Sequence, residues 1–134
     1  MNKEELIEMA IKVRENAYAP YSDFKVGAAL LTKTGKVFTG CNVENSSYGA
    51  SMCAERVAVF KAVSEGEKEF TEIAVVTDTK EPAMPCGMCR QVLAEFSPHI
   101  KIYAANLKGK VIETTLDKLL PYAFTKEDLT GGEK

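Results

Sequence analysis

Ile73-Ala74-Val75-Val76, followed after a loop by Pro85-Cys86-Gly87-Met88-Cys89, is the stretch that decides the fold class. Four consecutive apolar residues, three of them β-branched, read as a buried strand. Thr77 to Pro85 is the loop that carries the chain back, and a helix runs from Cys86 to about Phe96. Ile100 to Ala105 then reads as a second apolar strand. Strand, helix and strand in succession point to an α/β domain with a sheet covered by helices.

The rest of the chain extends this pattern in both directions. Asn2 with Glu5 three residues later resembles a helix-opening capping pair. Leu6, Met9, Ala10, Val13 and Ala17 then recur at helical spacing to about residue 17. Ala19-Pro20-Tyr21-Ser22 breaks that helix. Lys25–Thr32 and Val37–Val43 read as two strands across a Lys33-Thr34-Gly35-Lys36 turn, and Asn45 to Gly49 as polar loop. A second helix begins near Cys53 and stops at Gly66. Beyond Ala105, Lys108-Gly109-Lys110 turns the chain into a strand at Val111–Thr114, Leu116–Leu120 is a short helix, and Thr130–Lys134 a frayed tail. The expected fold is a three-layer α/β/α sandwich around a mixed five-stranded sheet, with residues 1–134 forming a single domain.

Composition narrows the function. The 134 residues are 46% hydrophobic and 27% charged, an ordinary globular balance. The net charge of −2 and the lack of any clustered Lys and Arg argue against a nucleic-acid partner. No apolar run approaches the roughly 18 residues of a membrane helix, and the polar N-terminus shows no secretory signal. Four cysteines in such a chain read as metal ligands or thiols before disulfides, and a cytoplasmic location follows as an expectation.

Cys53, Cys86 and Cys89 carry the chemistry. Cys86 and Cys89 are three apart and share a helix face in the first turn, while Cys53 opens the other helix. Both helix N-termini would then point at one spot, each adding about half an elementary charge and favouring the thiolates that zinc requires. Three protein ligands leave a fourth zinc position open for water, as in catalytic sites. Three thiolates make the site formally −1. Arg56 and Arg90 could each donate to thiolate sulfur and withdraw charge, with surface ion pairs as the alternative. Glu55 is a candidate proton carrier, although the helix dipole alone would favour an acid there. A closed four-cysteine zinc site including Cys41 and a redox Cys-x-x-Cys are the competing readings. Cys41 itself reads as a small buried residue, and His99, the only histidine, as unrelated to the metal.

At this point the chain resembles the small homo-oligomeric cytidine deaminases. The likeness rests on Ala19-Pro20-Tyr21-Ser22, Phe24-Lys25-Val26-Gly27-Ala28-Ala29-Leu30, Gly40-Cys41-Asn42-Val43-Glu44-Asn45, Cys53-Ala54-Glu55-Arg56 and Pro85-Cys86-Gly87-Met88-Cys89-Arg90-Gln91. It implies one zinc per chain on Cys53, Cys86 and Cys89, with Glu55 as the proton donor. It assigns Asn42, Val43 and Glu44 to nucleoside binding. The chemistry agrees, because residues two apart on a strand face one way and an amide with a carboxylate could grip a ribose hydroxyl. Val43 would serve only through its backbone, and a solvated strand edge is the alternative for all three. Phe24 resembles a residue packing near the pyrimidine, or is ordinary core. Tyr48 and Phe124 resemble residues brought to the pocket partly from a neighbouring subunit, or simply pack.

The resemblance further implies a homotetramer with pockets near subunit interfaces. The implied reaction is hydrolysis of cytidine and 2′-deoxycytidine to the uridine forms and ammonia, in pyrimidine salvage. Blasticidin-S deaminase shares the zinc motif, and Asn42-Val43-Glu44 favours a nucleoside with free ribose hydroxyls over it. A polynucleotide-editing enzyme lacks support in the charge distribution. A zinc-stabilised binding module would have no use for Glu55.

Overall fold

The computed structural model describes residues 1–130. Helix α1 (Lys3–Arg14) opens on the expected capping box, with Asn2 Oδ1 accepting from the Glu5 amide and the Glu5 side chain accepting from the Asn2 amide. It ends sooner than residue 17, because Asn16 and Ala17 donate only to three-residue turns and Tyr18 joins a β-bridge with Val43. Five strands follow: β1 (Val26–Thr32), β2 (Val37–Cys41), β3 (Phe70–Thr77), β4 (Lys101–Asn106) and β5 (Val111–Thr115). Helix α2 (Ala54–Ser64) lies between β2 and β3, α3 (Gly87–Phe96) between β3 and β4, and α4 (Leu116–Leu119) and α5 (Lys126–Thr130) after β5. The expected tail is outside the described residues, except Thr130, which closes α5.

The sheet order is β2-β1-β3-β4-β5. Only β3 and β4 run parallel, joined by α3, and the other neighbours are antiparallel. The sheet is therefore mixed, and alternation along each strand feeds two cores. Ala28, Leu30, Ile73, Val75 and Ile102 face α2 and α3, packing on Ala54, Ala58, Val59 and Leu93. Ala29, Ala74, Val76, Tyr103 and Ala105 face α1 through Leu6 and Ala10. The three-layer expectation holds.

Strand β2 stops at Cys41, two residues before the expected end. Asn42 turns its side chain inward, accepting from the Val26 amide at 2.8 Å and donating to Phe24 O at 2.7 Å. Val43 pairs instead with Tyr18 on one side and Met52 on the other. Gly40, near the end of β2, faces α2. A Cβ there would overlap the Ala54 carbonyl oxygen and lie 2.6 Å from the Ala58 nitrogen. Glycine at this position lets the first turns of α2 sit directly on the sheet.

Candidate metal and substrate site

Two helix N-termini build the site. Cys53 is the N-cap of α2 and Cys86 the N-cap of α3, both in extended backbone conformation, and Cys89 lies in the first turn of α3. Their three Sγ atoms lie within 4.8 Å of one another. Cys53 and Cys86 sulfurs are 3.9 Å apart, Cys86 and Cys89 sulfurs 3.5 Å. A tetrahedral zinc with bonds of about 2.3 Å needs sulfurs about 3.8 Å apart. The donor set fits that ion, and Cys41 is outside the cluster.

Electrostatics around the sulfurs are asymmetric. Hydrogen bonding from Cys89, aided by Arg56 and Cys86, pulls the Cys53 thiol down to about 5 against the cost of its burial. Cys89, sharing its proton with Cys53 and buried, is pushed in the opposite direction. The Arg56 guanidinium donates to Cys53 Sγ at 3.2 Å, as the charge argument anticipates. Arg90 does something else. It donates to Pro85 O at 2.7 Å and Leu119 O at 2.9 Å, which pins the residue preceding Cys86 to the end of α4. Its guanidinium is engaged by carbonyls and not by sulfur, because α4 packs against α3 on that side.

Glu55, in the first turn of α2, is only 5% exposed, and burial pushes its carboxyl up to about 7. It lines a cavity of about 230 Å³. Phe24, Asn42, Glu44, Cys53 and Cys86 share that wall with Glu55. The sequence-predicted alternation therefore survives the early end of β2: Asn42 and Glu44 both reach the cavity, while Val43 does not and is 46% exposed. Val43 uses its backbone on Met52, exchanging hydrogen bonds of 3.0 and 2.9 Å. Glu44 accepts from the Tyr21 and Ser22 amides and from the Ser22 hydroxyl, and the last of these chiefly holds its carboxyl below the usual range.

Tyr48 and Phe124 are not part of that wall. Tyr48 sits on an adjoining hollow with Tyr21, the rings 5.9 Å apart and edge-on at 62°, and Phe124 is exposed on the segment before α5. His99 lies outside that wall and outside the cysteine cluster, at an exposed turn 3.8 Å from Asp117. Sequence reasoning missed Thr77, Ser51, Met52, Ala83 and Met84 as wall residues. Thr77 was detectable as the polar residue ending an apolar strand. The others sit in loops without a periodic signal.

Residues 1–105 match the family described as the cytidine and deoxycytidylate deaminase zinc-binding region. The chain belongs to that family. It is 56% identical over 130 residues to the cytidine deaminase of Halalkalibacterium halodurans, covering 96% of this chain and 98% of that protein. A crystal structure of cytidine deaminase from Burkholderia pseudomallei superposes with a TM-score of 0.90 at 54% identity, over 92% of this chain and 100% of the other. The blasticidin-S deaminase of Bacillus cereus is 33% identical over 132 residues, covering 91% of each chain.

Proposed function

We propose that this chain, as a single domain over residues 1–134, hydrolyses cytidine and 2′-deoxycytidine to the uridine forms and ammonia. The observation that carries the reading is the placement of Glu55. A buried carboxyl lines the same cavity as Cys53 and Cys86, on the helix that Cys53 caps. A purely structural metal site gives such a carboxyl nothing to do.

Cys53, Cys86 and Cys89 hold one zinc per chain, which when bound supplies Lewis acidity that lowers the pKa of water. Arg56 offsets part of the negative charge of the three sulfurs through its bond to Cys53. Arg90 supports the same site from outside by fixing Pro85. Glu55 takes a proton from water, delivers it to N3 of the pyrimidine as C4 is attacked, and then relays a proton to the departing amine. One carboxyl can do each in turn. Water and the 4-amino nucleoside are consumed, and ammonia and the 4-oxo nucleoside leave.

Phe24 flanks the base, while Asn42 and Glu44 take the ribose, with Val43 holding the segment through its backbone. Asn42 already spends one lone pair and one amide hydrogen on Val26 and Phe24, so one of each remains for a ligand. Tyr48 and Phe124 act across subunit boundaries of a homotetramer, whose pockets lie near the interfaces. Their exposure, outside the cavity wall, supports that assignment. Thiols that must stay reduced to bind metal suit a cytoplasmic enzyme of pyrimidine salvage.

Ammonia release and the ultraviolet change on incubation with cytidine, 2′-deoxycytidine and blasticidin S test the reading. Turnover of cytidine is expected. Turnover of blasticidin S alone would reassign the substrate, and no turnover of any of the three by zinc-loaded protein would overturn the proposal.

A further inference from the structure

Glu44 is held by a turn that the reaction scheme above leaves unused. Its Oε1 accepts from the Tyr21 amide at 3.0 Å and the Ser22 amide at 3.1 Å, and its Oε2 accepts from the Ser22 hydroxyl. The Ser22 hydroxyl has one proton to give, and its oxygen accepts from the Phe24 amide at 3.0 Å. That bond fixes the direction in which the proton is offered. The turn is itself closed by the Asp23 amide donating to Ala19 O at 2.9 Å, with Asp23 in the left-handed region at φ 59°. An ionised carboxylate has about four acceptor positions. Three are filled from this turn, which leaves one on Oε2, and Glu44 lines both the cavity and the adjoining hollow.

We propose that Ser22 is a positioning residue: its hydroxyl orients the Glu44 carboxylate so that a single acceptor position faces the cavity and selects a neutral hydroxyl donor on the substrate sugar. The inference rests on the assignment of Glu44 to the ribose. A carboxylate with three donors already in place has no need of a proton, and its remaining position suits an O–H and repels an anion. The same hydroxyl ties Phe24 to Glu44, so the walls expected to face base and sugar share one anchor.

The test uses the zinc-loaded full chain with cytidine and 3′-deoxycytidine. The unmodified protein is expected to prefer cytidine by about 10²-fold or more in kcat/KM, because a site built around a hydroxyl penalises its absence. Ser22→Ala should narrow that preference about 10-fold, mainly by raising KM for cytidine, with zinc content retained. Ser22→Thr keeps the hydroxyl on an exposed residue and should restore the preference to within about 3-fold. The inference is overturned if Ser22→Ala keeps the original preference, if it lowers kcat/KM for both nucleosides alike, or if threonine fails as alanine does. Unmodified protein that does not discriminate between the two nucleosides would remove the hydroxyl assignment of Glu44 and this inference with it. Unmodified protein inert toward cytidine would instead refute the proposed reaction itself.

Discussion

Glu55 and Arg56 are neighbours in sequence whose side chains go to different places. Glu55 faces the cavity and Arg56 reaches back to Cys53. Glu55→Ala should leave zinc content and the circular dichroism spectrum unchanged while kcat falls about 10²–10⁴-fold, the usual cost of losing a general acid–base. Arg56→Gln should act on the metal, shortening zinc retention against a competing chelator. Arg56 also brings a buried Nε that has no hydrogen-bond partner among the described residues. A group retained at that cost is poorly explained as a surface ion pair. Both placements were legible in the order Cys53-Ala54-Glu55-Arg56, since the first turn of a helix places each side chain in a known direction. Arg90 was not legible in the same way. It directly follows Cys89, whereas Arg56 lies three residues beyond Cys53, and which acceptors it meets depends on where α4 packs, which no local pattern encodes.

Element boundaries show where local rules suffice. The Asn2 and Glu5 pair fixed the start of α1, and Asn2→Ala should cost about 1 kcal/mol in chemical denaturation. Gly66, at φ 92°, follows the end of α2 as expected. The end of β2 was misplaced because Asn42 exchanges the strand's ladder for side-chain bonds to Val26 and Phe24, a tertiary choice invisible to alternation. Asn42→Leu should therefore destabilise the fold by roughly 1–3 kcal/mol, through the loss of two part-buried hydrogen bonds, as read by the shift in denaturation midpoint. Helix α5 was missed because it has no apolar stripe. Its signal was Thr125 followed three residues later by Asp128, whose carboxylate accepts from the Thr125 amide at 2.7 Å. The turn around Ser22 was read as a helix breaker and as part of the family likeness, but not as the support of Glu44, since a polar residue's partner 22 positions away cannot be inferred from its neighbours.

At the scale of the molecule, the three sulfurs lie together at the N-termini of two helices that pack on one face of the sheet. A metal bound there favours the folded state by mass action. Stripping zinc with a strong chelator should thus abolish turnover and also lower the thermal midpoint, and re-addition of zinc should restore both. Gly40 lies outside both the three-cysteine cluster and the cavity wall, yet it sets how closely the first turns of α2 approach β2. One added methyl group has nowhere to go but against that helix, which must lift and carry Cys53 and Glu55 away from Cys86 and Cys89 on α3. Metal sites tolerate only about 0.2 Å in ligand distance, far finer than the tolerance of a hydrophobic core. Gly40→Ala is accordingly expected to give a protein that still folds by circular dichroism but holds less than one zinc per chain. Mechanically, the missing side chain is a spacer of zero thickness, and the alignment of a reaction centre on the next layer is gauged from it.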